Sequence, residues 1–248
     1  MSFLKHLNSR LSYFAQIGKR MFSSSHCKNE KPILYSYCLS SCSWRVRIAL
    51  GLKNISYDLK PTSLLKTDAV HSYTPEYREL NPMQQVPVLQ IDGQTLCDSV
   101  AIMHYLEETR KDTLILPQNP QGRAKVREIV EIICSGIQPL QNRLVLAHLG
   151  KEKSIEWAQH WITRGFTGLE TVLSSSSGRY CVGDEISMAD CCLVPQVFNA
   201  RRYHVNLDPY PTILRINANL ESEQVVIDSH PRKQPDYPKN SLKDPYNC

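Results

Sequence analysis

The chain has 248 residues, of which 42% are apolar, and a formal net charge of +5, so its length allows one large globular domain or two modest ones. No apolar run approaches the ~20 residues that a membrane-spanning helix needs, so we expect no membrane insertion. The basic residues form no clustered stripe of the kind that nucleic-acid binding requires, so we expect no nucleic-acid partner.

The first thirty residues carry most of the net positive charge, because five Lys or Arg residues stand there against Glu30 alone. Basic residues, serines and apolar residues at roughly helical spacing, with no acid before Glu30, are typical of a mitochondrial transit peptide. A disordered extension on a cytoplasmic protein is the alternative. We therefore predict that residues 1–30 are a flexible or mitochondrial-targeting extension, with residues 1–22 as the targeting part.

The first folded unit reads as strand, polar turn and helix. Residues 33–37 form a short apolar and aromatic run of strand length, which stops at a turn rich in Ser and Cys. A helix is predicted from Ser43 to Lys53, with Ser40, Ser41 or Ser43 as its N-cap.

Two arginines of this first helix fall on different sides of the helical wheel. Arg45 lies inside the apolar arc, whereas Arg47 lies outside it. An arginine in an apolar arc must be paired or must face a cavity, so Arg45 is predicted to do one or the other.

The elements that follow continue the alternation of strand and helix. They are a strand at 57–60, a short helix at 75–80, a strand at 86–91, a return strand at 95–97 and a helix from Ser99 to about Glu108. The order βαβ and then ββα is that of a thioredoxin-like domain, which we assign to residues 31–112. Pro87 cannot donate to a strand ladder, and a cis bond there would leave neighbouring backbone groups free for a ligand.

The second half of the chain is predicted to be an all-α domain over residues 118–229. Residues 121–149 and 153–173 show long helical periodicity with few strand signals. A polar loop is expected at 174–178. The chain is therefore expected to have an α/β thioredoxin-like N-terminal domain followed by an all-α C-terminal domain.

The run Ser187-Met188-Ala189-Asp190 is a helix-start signal, because the serine can cap one backbone amide while the aspartate reaches back to another. The residues behind it are apolar on nearly every side, which predicts the central helix of the second domain. The proline-rich residues 230–248 are expected to form an irregular tail.

Nine cysteines are present, without a C-x-x-C pair and without a secretory leader, so a disulfide framework is not expected. We predict that most of them are reduced and buried. The histidines show no metal-binding spacing, so no metal site is predicted.

The turn Ser40-Ser41-Cys42-Ser43, between the first strand and the first helix, carries the clearest chemical signal. Helix N-termini present unpaired amide donors and a partial positive charge, which stabilise an anion such as a thiolate. A ligand thiol with a pKa near ~8.5 in solution would be shifted there toward its nucleophilic form.

The segment SSCSWRVRIAL at residues 40–50 resembles the active-site segment of the zeta-class glutathione transferases, the maleylacetoacetate isomerases. Further matching segments lie at 81–87, 136–142, 180–185, 189–197 and 230–236, so the resemblance covers residues 31–238. It implies glutathione as cofactor, a homodimer, and isomerisation of maleylacetoacetate to fumarylacetoacetate in tyrosine and phenylalanine catabolism. It also implies transferase activity on small electrophiles such as α-halo acids.

The resemblance implies catalytic roles for four residues of this sequence. Ser41 would donate a hydrogen bond to the glutathione sulfur, and Ser40 and Cys42 would flank it. Arg202 would meet a carboxylate of the dicarboxylate substrate, and Arg45 is a second candidate cation for that task.

The resemblance also implies a set of glutathione contacts. Val86 would exchange backbone hydrogen bonds with the cysteine of glutathione. Asp98 and Ser99 would hold the γ-glutamyl end, because the serine and the helix-start amides suit its carboxylate and the aspartate suits its amine. The full implied set is Ser40, Ser41, Cys42, Ser43, Trp44, Arg45, His71, Gln85, Val86, Asp98, Ser99, Gln138, Asn142, Arg143 and Leu144.

Two other functions compete with this one. In the first, Cys42 itself attacks and forms a mixed disulfide, as in omega-class transferases and glutaredoxins, since a helix start lowers a thiol pKa. In the second, the fold serves as a non-catalytic assembly module, because fold alone does not fix function.

Overall fold

The computed structural model describes residues 30–62 and 74–238. The leader hypothesis for residues 1–30 therefore lies almost wholly outside the described residues, and so does His71. Among the helices of the described ranges, none combines the length and the apolar character that crossing a membrane demands.

A four-stranded mixed sheet forms the first layer. Its strands are β1 (Ile33–Ser36), β2 (Asp58–Pro61), β3 (Val88–Ile91) and β4 (Gln94–Cys97), in the spatial order β2-β1-β3-β4. β1 pairs with β2 in parallel and with β3 in antiparallel orientation, and β3 and β4 form a hairpin. Leu34 sits opposite Leu59 on one side and Leu89 on the other, which fixes the register around a buried leucine.

Three helices accompany the sheet: α1 (Ser41–Leu52), α2 (Pro75–Leu80) and α3 (Ser99–Thr109). α1 is the central one, because it packs against α3 and also against the helices of the second half. Its apolar side chains, with Leu34 and Leu89 of the sheet, belong to the main buried cluster. The predicted thioredoxin-like unit is confirmed.

The remainder is helical, as predicted. Its elements are α4 (Pro120–Cys134), a 3₁₀ turn (Gln138–Gln141), α5 (Arg143–Leu149), α6 (Lys151–Ser176), α7 (Met188–Arg202), α8 (Pro211–Glu221), α9 (Gln224–Ser229) and a second 3₁₀ turn (Pro231–Lys233). α7 is buried almost throughout and contacts α1, α4 and α8. The predicted capping box is present, since the Asp190 carboxylate accepts hydrogen bonds of 2.8 Å and 2.9 Å from the amide and hydroxyl of Ser187.

Helix boundaries differ from the prediction in three places, the first being the start of α1, which begins at Ser41 and not at Ser43. Residues 121–149 are not one long helix: α4 ends at Cys134, because Pro139 has no amide hydrogen to donate and its ring clashes with the carbonyl one turn back. Conversely, the loop predicted at 174–178 is helical as far as Ser176. The Ser174, Ser175 and Ser176 hydroxyls bond to carbonyls of the preceding turn, at 2.8–3.1 Å, instead of competing with the helix.

The C-terminal segment is more ordered than the predicted irregular tail. Residues 231–233 form a 3₁₀ turn, and Pro231 and Gln234 are buried against the body of the protein. Tyr237 packs against a small apolar cluster beside the turn that follows β1. The segment up to residue 238 therefore belongs to the folded structure.

Candidate active site

The turn after β1 leads directly into α1 and exposes the start of that helix. Ser40 is the N-cap, and its hydroxyl oxygen accepts a hydrogen bond of 3.2 Å from the amide of Ser43. Ser41 is the first helical residue and is 7% exposed, while Cys42 is partly exposed. Because the amides of a first turn have no partner inside the helix, the region around Ser41 can accommodate an anion.

Ser43 and Trp44 face inward and support this helix start. Ser43 is fully buried, and its hydroxyl accepts a hydrogen bond of 3.5 Å from the amide of Tyr37. The Trp44 indole donates to the Ser229 hydroxyl at 2.9 Å and packs edge-on against Phe198 and His230. Both side chains thus position the turn from within the core.

Arg47, which falls outside the apolar arc of the helical wheel, is nevertheless as deeply buried as Arg45. Its guanidinium bonds to the Ser229 carbonyl at 3.1 Å, to the Ser36 hydroxyl at 3.0 Å and to the Cys38 carbonyl at 3.2 Å. Burial lowers the Arg47 pKa to about 10. Carbonyl and hydroxyl oxygens of other segments take the place of water around the Arg47 guanidinium. A helical wheel shows only the residues of one helix, so it cannot reveal these contacts.

Arg45 belongs to α1, and its side chain reaches the start of α3. Its Nη1 donates a hydrogen bond of 3.2 Å to the Ser99 hydroxyl, whereas Nε and Nη2 have no hydrogen-bond partner within the described residues. Burial acts to lower the Arg45 pKa, but the neighbouring Cys42, Cys134, Cys192 and Asp98 together raise it. Because only 2% of Arg45 is exposed, it can act on a ligand only through its charge and through its hydrogen bond to Ser99.

The start of α3 is a second anchoring point. Asp98 is the N-cap, with a φ of 74°, and its carboxylate accepts hydrogen bonds from the amides of Val100 at 2.8 Å and Ala101 at 3.1 Å. The Asp98 residue is exposed, whereas Ser99 is buried against Arg45. An exposed carboxylate and a helix start therefore lie side by side.

The Val86–Pro87 peptide bond is cis, and the ladder of β3 begins only at Val88. The Gln85 carbonyl accepts hydrogen bonds of 2.8 Å from the Tyr77 hydroxyl and from the Asn81 side chain. Val86 shares a small apolar cluster with Tyr37 and Cys38. The segment before β3 is thus held next to the turn that follows β1.

Four of the predicted glutathione contacts belong to the helical half: Gln138, Asn142, Arg143 and Leu144. They do not lie on one long helix, as the sequence had predicted. Gln138 opens the 3₁₀ turn, and Asn142 caps α5 by accepting a hydrogen bond of 3.0 Å from the Leu144 amide. Arg143, the first residue of α5, is exposed, and Leu144 is 42% exposed. Because the helix breaks before residue 143, α5 begins with an exposed arginine, Arg143.

Arg143 and Arg202 both lie close enough to Tyr37 for their charges to act on it. Burial, followed by the nearby Cys38, raises the Tyr37 pKa to about 12, and the two arginines oppose that rise. Tyr37 directly precedes the turn that carries Ser40 and Ser41. Two cations, from α5 and α7, thus act on the residue that directly precedes the turn into α1.

Known proteins share this arrangement of sequence and fold. Residues 34–114 match the family model described as "Glutathione S-transferase, N-terminal domain". The chain is 67% identical over 213 residues to "Probable maleylacetoacetate isomerase 1" of Drosophila melanogaster, covering 86% of this chain and 87% of that protein. It is 59% identical over 208 residues to "Maleylacetoacetate isomerase" of Mus musculus, covering 84% of this chain and 96% of the mouse protein.

A solved structure agrees with these relatives. A maleylacetoacetate isomerase from Anaeromyxobacter dehalogenans, whose structure has glutathione (GSH) bound in the active site, superposes with a TM-score of 0.75 at 41% sequence identity, covering 84% of this chain and 98% of the other. The chain belongs to the zeta-class glutathione transferases.

Two features of this zeta-class protein were missed by sequence reasoning. The charges of Arg143 and Arg202 act on Tyr37. In the sequence, Tyr37 is only the last residue of a predicted strand. Asp236 accepts a hydrogen bond of 2.8 Å from the Cys38 amide across a separation of 198 residues. The motif containing Asp236 was visible in the sequence, yet no local pattern connects it to the turn after β1.

Proposed function

We propose that this zeta-class transferase catalyses the glutathione-dependent isomerisation of maleylacetoacetate to fumarylacetoacetate, and that it transfers glutathione to small electrophiles such as α-halo acids. The observation that carries the proposal is that Tyr37, on which the charges of Arg143 and Arg202 act, stands four residues before Ser41 at the helix start. A thiolate needs the helix start, and a dicarboxylate needs the two cations.

The residues present fit glutathione. The exposed Asp98 carboxylate suits the ammonium group of the γ-glutamyl end, and the Ser99 hydroxyl and amide suit its carboxylate. Val86 lies just outside the β3 ladder, where its backbone groups can pair with an extended peptide. Ser41 would meet the sulfur of the central cysteine of glutathione.

In the proposed mechanism, bound glutathione supplies the thiol nucleophile for reversible addition to the conjugated cis double bond. The Ser41 hydroxyl and the first-turn amides of α1 stabilise negative charge at that sulfur. Arg45, which is buried near Cys42 and donates a hydrogen bond to Ser99, adds positive electrostatic potential to the site. These groups are in place before the reaction begins, so they stabilise the negative charge on the sulfur without any rearrangement of the protein.

The substrate side of the mechanism depends on the cations. Arg202 at the end of α7 and Arg143 at the start of α5 would bind the two carboxylates and stabilise the negative charge that develops on the substrate oxygens. They also orient the double bond over Ser41. The same arrangement suits the carboxylate of an α-halo acid.

The test is an assay of purified protein with glutathione and maleylacetone. We expect isomerisation, with Ser41→Ala removing most of the activity and Cys42→Ala keeping a measurable part. Loss of all turnover in Cys42→Ala, together with reduction of a mixed disulfide by the wild type, would establish the redox alternative. Failure to bind immobilised glutathione would favour an assembly module.

We also propose that the protein is a homodimer and acts in the cytoplasm, with mitochondrial import through residues 1–22 as the alternative. The relationship to the zeta-class transferases supports the dimer. Sedimentation equilibrium tests the oligomeric state. Sequencing the N-terminus of the protein isolated from mitochondria and from cytosol tests the targeting segment.

A further inference from the structure

Two cysteines from different helices meet in the helical half of the molecule. Cys134 is the last residue of α4 and Cys192 lies in α7, and their sulfur atoms are 3.6 Å apart. Both are free thiols. Cys192 is fully buried, whereas Cys134 is partly exposed. The Cys134 residue is therefore partly open to solvent, and the buried Cys192 sulfur lies at contact distance from the Cys134 sulfur.

The Arg45 guanidinium acts on both sulfurs. It is buried and uses Nη1 for Ser99, while Nε and Nη2 have no hydrogen-bond partner within the described ranges. A buried cation without a paired anion stabilises a nearby thiolate. Cys134 and Cys192 are thus, with Cys42 and Asp98, the groups whose charge acts on this buried guanidinium.

The two thiols have opposite tendencies to ionise. The hydrogen bond between the Cys134 and Cys192 thiols and the nearby Arg45 lower the Cys134 pKa, although burial opposes this. Burial and the Cys134 sulfur raise the Cys192 pKa well above its usual value. Such a pair joins the more acidic thiol, Cys134, to a protonated partner at contact distance.

The other buried cysteines of the described ranges do not share this environment. Burial raises the pKa of Cys181 and of Cys191, and it raises that of Cys38 to about 12. All three are less than 2% exposed. They are therefore inert thiols, and Cys191, next in sequence to Cys192, offers a matched control.

We propose that Cys134 and Cys192 are a peroxide-sensitive dithiol that closes into a disulfide joining α4 to α7. The Cys134 thiolate attacks one oxygen of hydrogen peroxide, the O–O bond breaks, and the released hydroxide takes up a proton to become water. Cys134 is then a sulfenic acid.

In the second step the Cys192 sulfur attacks the Cys134 sulfur. The S–S bond forms, the S–O bond breaks, and the departing hydroxide leaves with the Cys192 proton as a second water. The two thiols lose two electrons in total, and the peroxide gains them. This modification is independent of glutathione and of the proposed isomerase activity.

Peptide mapping of the full-length protein tests the proposal. Reduced protein is treated with equimolar hydrogen peroxide, blocked with iodoacetamide and digested without reductant. We expect a peptide cross-linked through Cys134 and Cys192 that dithiothreitol releases. The Cys191→Ala variant should form it equally, whereas Cys192→Ala should stop at a Cys134 sulfenic acid that dimedone traps.

The role of Arg45 is tested by the alkylation rate of Cys134 as a function of pH. In the wild type the midpoint should lie below that of an ordinary thiol, and Arg45→Gln should slow the reaction at pH 7 by about tenfold, the effect of one pKa unit. Absence of the cross-linked peptide, or dimedone labelling at other cysteines with Cys134 unmodified, would overturn the proposal. So would a Cys134 midpoint at or above that of an ordinary thiol, which the wild type alone can show.

Discussion

The Cys38 amide donates a hydrogen bond of 2.8 Å to the Asp236 carboxylate, so the C-terminal segment holds the turn that carries Ser40 and Ser41. The same segment contributes the Ser229 carbonyl to Arg47 and the His230 ring to Trp44. The candidate catalytic turn is therefore held from the sheet on one side and from the end of the chain on the other.

We predict that Asp236→Ala lowers both stability and glutathione-dependent turnover. The change leaves the Cys38 amide without its acceptor, which costs about 1–3 kcal/mol for a buried donor. The Asp236→Asn variant keeps an acceptor and should recover much of the activity. Steady-state kinetics and urea unfolding measure the two effects. Asp228→Ala, which removes an exposed carboxylate from the same region, is the control and should behave like the wild type.

The buried Cys38 thiol predicts a loss of stability in alkali. Burial and the neighbouring Asp236 raise its pKa from 9.0 to about 12 in the folded state. The folded protein then keeps a proton that the unfolded chain releases, so this contribution is complete below pH 9 and is lost as the pH rises toward 12. The slope is at most about 1.4 kcal/mol per pH unit.

Urea unfolding of the wild type and Cys38→Ala between pH 7 and 10 isolates that contribution. The difference in unfolding free energy should stay flat up to about pH 8 and then fall as the unfolded thiol ionises. A difference that does not change between pH 8 and 10 would contradict the buried, protonated thiol.

The buried ion pair between Lys53 and Glu107 predicts a large stability effect. Lys53 Nζ lies 3.0 Å from Glu107 Oε2 and also donates to the carbonyls of Arg110 and Thr113, and both charged side chains are at most 3% exposed. Glu107→Gln leaves a buried lysine without its anion, and we expect a cost of about 3 kcal/mol.

The matched control is Glu128→Gln, which breaks an exposed pair with Lys125 and should cost about 1 kcal/mol or less. Chemical denaturation measures both variants. Equal effects in the two would show that burial does not decide the strength of these pairs.

Asp98→Asn separates the capping role of this residue from its charge. The asparagine can still cap α3 by accepting from Val100 and Ala101, so unfolding should change by only a few tenths of a kcal/mol. Glutathione affinity should fall about tenfold, in line with the loss of a charge-assisted hydrogen bond. Calorimetric titration measures it. N-acetylated glutathione, which lacks the ammonium group, should bind wild type and variant equally.

Much of the candidate site was visible in local sequence patterns. The N-cap at Ser40, the capping box from Ser187 to Asp190 and the departure from strand pairing near Pro87 each depend on residues within four positions of one another. Interactions of that range are set by backbone geometry, so sequence could predict them. The burial of Arg47 depends on contacts with distant residues such as Ser229 and was missed.

The sequence by itself determined the order of strands and helices, the burial of α7, and a polar helix start within residues 40–43, because these follow from the period of apolar residues and from capping. Tertiary structure alone decided which distant groups meet: Arg143 and Arg202 beside Tyr37, Asp236 beneath Cys38, and Cys134 against Cys192. These contacts join residues of separate elements, and only the packing of those elements sets the distances on which their charges and thiols act.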